Sequence, residues 1–263
     1  SRLLMSQRKL KILFIPDTQI RPDNLEQNTP LLLALGQRII DEQPDVVVMI
    51  GDWWDMHSLS SYDLKPNNRI TIDGDEVNAD VAAGIDAMHI MLGALWALQS
   101  RQRASKHKVY RPRLIFTMGN HESRVGRYPE LKGFVDLAEI LNDMGWEVHD
   151  FLEPVYINDV AFCHYFYNPN SSRPYGGTAE FRLNKMKCSF VQGHEQTFKY
   201  ATEYMNNGKA ISGLVAGSCY LHDESYKGYQ GNNHYRGAFM LHNVQEGMYD
   251  LEQLSIYELL GQK

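Results

Sequence analysis

An α/β fold with two packed sheets in one domain is the architecture this chain predicts, and three observations carry it. Apolar β-branched runs alternate with helical patterns through the first half, which implies parallel pairing. The second half is mostly short strands and tight turns. Short polar clusters follow several strands, where open α/β sheets bind ligands.

The elements follow in order. Lys9 to Ile15 reads as a strand and stops at Pro16-Asp17. Pro30 to Glu42 reads as a helix, with Thr29 as N-cap and proline at the first position, where its missing N–H costs nothing. Asp45 to Ile50 is a buried β-branched strand. Asp75 to Arg103 is the longest helical pattern, and Arg113 to Met118 the next strand. After about residue 146 come strands at Trp146 to Phe151, Val155 to Ile157, Val160 to Cys163 and Cys188 to Gln192. Ala210 to Ala216 follows an Asn206-Asn207-Gly208 turn, and Gly237 to Val244 pairs with Leu251 to Leu259. No repeat or linker interrupts residues 1–263, so a single domain is expected.

Composition is that of a globular protein, 43% hydrophobic and 22% charged. With net charge −6 the molecule as a whole does not attract polyanions, so a phosphate-bearing substrate needs local charge or metal. Cys163, Cys188 and Cys219 have neither an even number nor C-x-x-C spacing, which argues for free thiols. No run reaches the ~20 apolar residues of a membrane span. A cytoplasmic protein without a membrane partner is expected.

Four clusters carry the chemistry: Asp17-Thr18-Gln19, Gly51-Asp52-Trp53-Trp54-Asp55, Gly119-Asn120-His121-Glu122 and Gly193-His194-Glu195-Gln196. His164 after Val160-Ala161-Phe162-Cys163 makes a fifth. Each cluster alone reads more readily as a cap or turn; in this order, each behind a strand, they point to a two-metal site.

These motifs resemble the calcineurin-like metallophosphoesterase superfamily. Residues 53–62 and 120–124 further resemble a branch common in bacteriophages. The resemblance implies an αββα sandwich of four layers, two mixed sheets flanked by helices, and a centre of two divalent cations that acidify a bridging water. Asp52 would bridge them and act in catalysis. Asn120, His164 and His194 would complete one ion, and Asp17 would hold the other. Gln19 and Gln196 stand where the family normally has histidines, so that first ion faces oxygen donors. Such a set suits Mn²⁺, the favoured metal, or Mg²⁺ or Ca²⁺; Zn²⁺ and iron are alternatives. The first ion is expected to be the weaker one. His121 would contact phosphate or protonate the leaving oxygen. Asp55 would orient a ligand, and Glu122, Arg124 and Arg127 follow closely enough to support or clamp substrate.

The expected activity is phosphoester hydrolysis, with phosphodiesters of nucleotides, DNA or RNA favoured. A phosphomonoesterase and a non-catalytic scaffold are the alternatives. The basic run from Arg101 to Arg113 and a dense set of tyrosines including Tyr165, Tyr220 and Tyr226 favour nucleic acid modestly. Their bland readings are a solvated helix end and loop packing. Spacing leaves the role of residues 56–74 and the oligomeric state open.

Overall fold

The computed structural model describes residues 7–60 and 72–261. Within the segment 56–74, residues 61–71 lie outside the described residues.

Eleven strands are described: β1 (Leu10–Ile15), β2 (Val46–Met49), β3 (Arg113–Thr117), β4 (Glu147–His149), β5 (Val155–Ile157), β6 (Val160–Cys163), β7 (Phe190–Gln192), β8 (Phe198–Tyr204), β9 (Ala210–Ala216), β10 (Gly237–Gln245) and β11 (Met248–Ser255). Helices are α1 (Leu25–Glu42), α2 (Gly74–Ala104), α3 (Asn120–Ser123), α4 (Leu137–Asp143), α5 (Ala179–Met186), α6 (Gly228–Asn232) and α7 (Ile256–Leu259).

One sheet runs β11-β10-β1-β2-β3-β4 and the other β5-β6-β7-β9-β8. In the first, β1 to β4 are parallel and β10 lies antiparallel to β1. In the second, β6, β7 and β9 are parallel, with antiparallel strands at both edges. Both sheets are therefore mixed, as expected.

Period-2 alternation explains the layering. Ile12, Phe14, Val46 and Val48 point between the sheets, where Phe162, Val191 and Leu214 meet them. Leu13, Ile15, Val47 and Met49 point the other way, onto α1 and α2. On the far side, Phe190 and Val215 pack with Ala179 and Leu183 of α5. The result is helix, sheet, sheet, helix.

Four sequence expectations need correction. Helix α1 begins at Leu25, five residues before Pro30. Proline removes only one donor there, and the Asn28 and Thr29 side chains bond the carbonyls of Asn24 and Leu25. The last strand ends at Ser255, and Ile256–Leu259 turns into a helix capped by the Ser255 hydroxyl. Strand β8 and helices α4 and α5 went unread. An 18-residue window of α2 also has mean hydropathy 1.6, apolar enough by length and composition to cross a membrane. Here its buried residues, Val77, Ala83, Ala87, Met88, Met91, Leu92 and Leu95, recur at helical spacing and join the core shared with α1.

Candidate metal centre

The polar clusters meet at one end of both sheets, beyond the carboxyl ends of β1, β2, β3, β6 and β7. Glycines make that convergence sterically allowed. A Cβ on Gly119 would lie 2.2 Å from Asp52 Oδ1, and one on Gly193 would lie 2.3 Å from Asp17 Oδ1. Gly119 and Gly193 are thus the points where their loops touch a neighbouring ligand, while Gly51 packs against the backbone of Thr117 and Gly119. Gln19, Asp52, His194 and Gln196 all have positive φ, between 46° and 74°. This left-handed backbone costs roughly 1 kcal/mol per residue, so the loops are held there by their surroundings.

Glu122 does much of that holding. Its carboxylate accepts the backbone N–H groups of Asp52 (2.7 Å), Gly119 (2.9 Å) and Trp54 (3.2 Å). It is buried, and burial and the Asp52 charge push its pKa up to about 8. Glu122 therefore braces the two loops from beneath and does not face substrate. Trp53 and Trp54, both fully buried, donate their indole N–H groups to the Gly84 and Val81 carbonyls of α2.

Asp52, His164 and His194 present ligand atoms within 4.8 Å of one another, the one such group among the described residues. Asn120 completes the set: its Oδ1 lies 3.0 Å from His164 Nε2 and 3.1 Å from His194 Nδ1. His164 Nε2 is also 3.2 Å from Asp52 Oδ2. Donors around a divalent ion lie between about 2.8 Å apart (octahedral) and 3.6 Å apart (tetrahedral), so these spacings fit. The tautomer fits as well. His164 Nδ1–H donates to the Ile50 carbonyl at 2.8 Å, which leaves Nε2 as a lone pair aimed at two oxygen acceptors. Only a positive charge reconciles them. Burial opposes the imidazolium, yet Asp52 and Asp17 lift His164 to about 10. A proton on Nε2 or a divalent cation at that point would each satisfy both oxygens, which makes this a candidate cation site. His194 is the opposite case: burial and the His164 charge lower it to about 4, so it offers a neutral ring. Tyr165 packs against that ring, 4.6 Å between centroids.

His121 sits beside this set. Burial opposes its charge, but Asp52 and Asp55 raise it to about 9. Its Nδ1 lies 2.8 Å from the Asp55 carbonyl and 3.1 Å from the Asp55 carboxylate. Nε2 is left facing Asp52 at 3.7 Å and Arg124 Nη2 at 3.4 Å. Arg124 itself donates to the Asp55 carbonyl. These groups line a cleft of about 410 Å³, together with Arg21, His57, Gln196, Glu224 and Tyr226. A larger open hollow of about 820 Å³ beside Tyr128 and Phe134 contains none of the donors.

The profile of the family described as "Calcineurin-like phosphoesterase" matches residues 10–195. The chain belongs to that family. Among solved structures, it is similar to Yfce, a phosphoesterase from E. coli, at 12% identity and TM-score 0.39 over 93% of this chain and 100% of that one. It is also similar to TT1561 of Thermus thermophilus, at 10% identity and TM-score 0.41 over 94% and 100%. No curated protein is significantly similar in sequence.

Not every site residue expected of this phosphoesterase reaches the cleft. Asp17 is fully buried, with Oδ1 receiving the His194 N–H at 3.0 Å and Oδ2 without a partner. Burial pushes Asp17 up to about 6, a second sign of cation demand. Gln19 and Gln196 stand beside it, but both contact the Tyr226 hydroxyl. Arg127 is exposed on the turn after α3 and does not line the cleft. His222 is buried between Asn28 and Glu224 and is structural.

Sequence reading missed Arg21, Glu224 and Lys227, and it took Tyr226 only as one of many tyrosines that could stack on bases. Arg21 pairs with Glu224 at 3.1 Å and Asp55 at 3.5 Å. No spacing motif marks it, because its partner is 203 residues away. The basic run before Arg113 lies at the amino end of β3, roughly 20 Å of strand from the cleft at its other end.

Proposed function

We propose that this phosphoesterase hydrolyses compact phosphodiesters, nucleotides being the substrate class that fits best. The observation that carries the reading is the cation site of Asp52, Asn120, His164 and His194 at the floor of a cleft that also holds His121. When bound there, a divalent ion supplies Lewis acidity to a phosphoryl oxygen and acidifies water near neutral pH. The chain's own residues supply the rest. Asp55 fixes the His121 ring through Nδ1, so Nε2 is directed into the cleft with a proton for the leaving oxygen. Arg124 steadies the same loop through the Asp55 carbonyl.

Charge supports diester over monoester. Asp55 and Glu224 line the cleft, and both lining arginines among the described residues already have protein partners. A monoester dianion brings one more negative charge than a diester, and beyond the ion and His121 the lining offers it no arginine among the described residues without a protein partner. The basic run lies at the far end of β3 and contributes nothing to the cleft lining, so it lends no support to a polymer substrate. Mn²⁺ is the metal we favour, because an Asp, Asn and two His ligands mix hard oxygen with imidazole. Three unpaired thiols support a reducing compartment such as a cytoplasm.

The test compares bis-aryl and mono-aryl phosphates in Mn²⁺. The diester should be favoured by about tenfold in kcat/KM, about 1.4 kcal/mol. Preference for the monoester would replace this reading with a phosphatase. Asn120→Ala should lower metal affinity by about 100-fold or more. Absence of hydrolysis with any divalent metal would favour a binding scaffold.

A further inference from the structure

The family resemblance places a second ion beside Asp17, with Asp52 shared and the side chains of residues 19 and 196 as further ligands. Here both amides have other work. Lys227 Nζ and the Tyr220 hydroxyl both donate to Gln196 Oε1, at 3.3 and 2.5 Å. An ammonium group can only donate, so Gln196 is oriented with its oxygen toward Lys227 and its nitrogen toward Tyr226. That nitrogen donates to the Tyr226 hydroxyl at 3.3 Å. The hydroxyl must then send its own proton onward, and it does so to Gln19 Oε1 at 3.2 Å.

The chain runs one way: Lys227 to Gln196 to Tyr226 to Gln19. Turning the Gln19 amide would leave the Tyr226 hydroxyl receiving from both glutamines and forfeit its bond to Gln19 Oε1. So the end of Gln19 left over is Nε2, a buried donor without a partner. A donor N–H repels a cation. Both Gln196 oxygen lone pairs are occupied as well. Only Asp17 and Asp52 remain to hold an ion, against four donors at the other position.

The base of this clasp is rigid. Tyr220 is fully buried, its ring stacked on His222 at 4.2 Å, with Arg236 over it at 5.2 Å and Lys227 at 5.7 Å. Lys227 also brings a positive charge close enough to interact with Asp17. Tyr226 lines the cleft.

We propose that the centre is mononuclear: one divalent ion at Asp52, Asn120, His164 and His194, with the Gln19 and Gln196 amides held by the Tyr226 hydroxyl and the Lys227 ammonium instead of presenting oxygens to a second ion. The proposal rests on the phosphoesterase reading for the identity of the ion site. Tyr226 and Lys227 are positioning residues, carried on the turn Ser225–Lys227.

Metal content tests it without substrate. Apoprotein is titrated with Mn²⁺, and bound metal is counted by elemental analysis and by electron paramagnetic resonance. Wild type should bind one tight ion, with the hyperfine pattern of an isolated centre. The double variant Tyr226→Phe, Lys227→Met removes the clasp and lets both amides turn. It should tighten a second ion by about 10–100-fold and show an exchange-coupled pair. Gln19→His with Gln196→His should do the same by restoring imidazoles, and histidine tolerates the left-handed backbone at both positions. Two tight, coupled ions in wild type would overturn the proposal. So would a count of one in all three proteins when circular dichroism shows each folded. One ion in wild type and two in the variants, with no hydrolysis by any of them, would support the count and overturn only the activity.

Discussion

Gly84→Ala sets two physical effects against each other. Alanine in a helix interior is favoured over glycine by roughly 1 kcal/mol, so propensity alone predicts a more stable protein. The contact geometry predicts the reverse. A Cβ at residue 84 would lie 1.8 Å from Trp54 Nε1 and 2.2 Å from Cε2. Normal contact needs about 3.4 Å, so helix and indole must separate by roughly 1.6 Å. Neither yields easily: Trp54 is fully buried, its ring 6.3 Å from Phe116 and its N–H on the Val81 carbonyl. Overpacking of this kind costs about 1–3 kcal/mol or more. The expected net effect is a loss of about 2 kcal/mol, or roughly 4 °C in Tm for a chain this size. The separation also drags the loop that carries Asp52, so Mn²⁺ affinity should fall. Gly93→Ala is the control, since nothing lies within 4 Å of a Cβ in the same helix. It should gain about 0.5–1 kcal/mol. Urea unfolding of both variants checks the reasoning. Equal stabilisation by the two substitutions would refute it.

Three further outcomes follow from particular contacts. Arg182 is fully buried and forms a two-point ion pair with Glu195, one contact at 2.8 Å. Glu195→Gln should cost about 3 kcal/mol in denaturant unfolding, at the lower end for a buried pair because Glu195 is partly exposed. Although burial opposes it, Arg182 holds the Glu195 pKa below its ordinary value. Its contribution is therefore present above the unfolded value of about 4.3 and lost as pH falls through the lower folded value. Acid titration of stability should be shallower in the Gln variant. Glu122→Gln replaces a carboxylate that accepts three N–H groups with an amide that has one oxygen. It should destabilise the protein by about 1–3 kcal/mol and weaken Mn²⁺ binding, read by calorimetry. Chelation should lower Tm, because an ion present at about 100 times its Kd adds about 2.7 kcal/mol. An unchanged Tm would count against a resident metal.

Much of the fold and of the donor set was legible because it is local. Val46-Val47-Val48-Met49 is buried on both faces and reads as a strand from its own composition. An Asp, Asn or His directly after such a strand has few structural reasons to be there, so Asp52, Asn120 and His164 stand out. The start of α1 was misread because Pro30 mimics a first-turn proline. The true entry depends on the Asn28 and Thr29 side chains bonding back to the chain. Whether Glu122 supports the ligands or meets substrate was left open by the sequence, because adjacency to a ligand says nothing about which way a side chain points.

By itself, then, the sequence determined the alternation of strands and helices and the residue types at the strand ends, since neighbours along the chain set both. Tertiary structure alone decided what those residues touch. Nothing in the spacing around residue 19 or 196 says that Tyr226, 207 positions from Gln19, will stand between them. That contact exists because the segment after β9 folds back over the sheet ends, a consequence of how two sheets pack. Asp52, Asn120, His164 and His194 keep their donors turned toward one point. Gln19 and Gln196 are claimed by a tyrosine and a lysine that only the packed chain brings near.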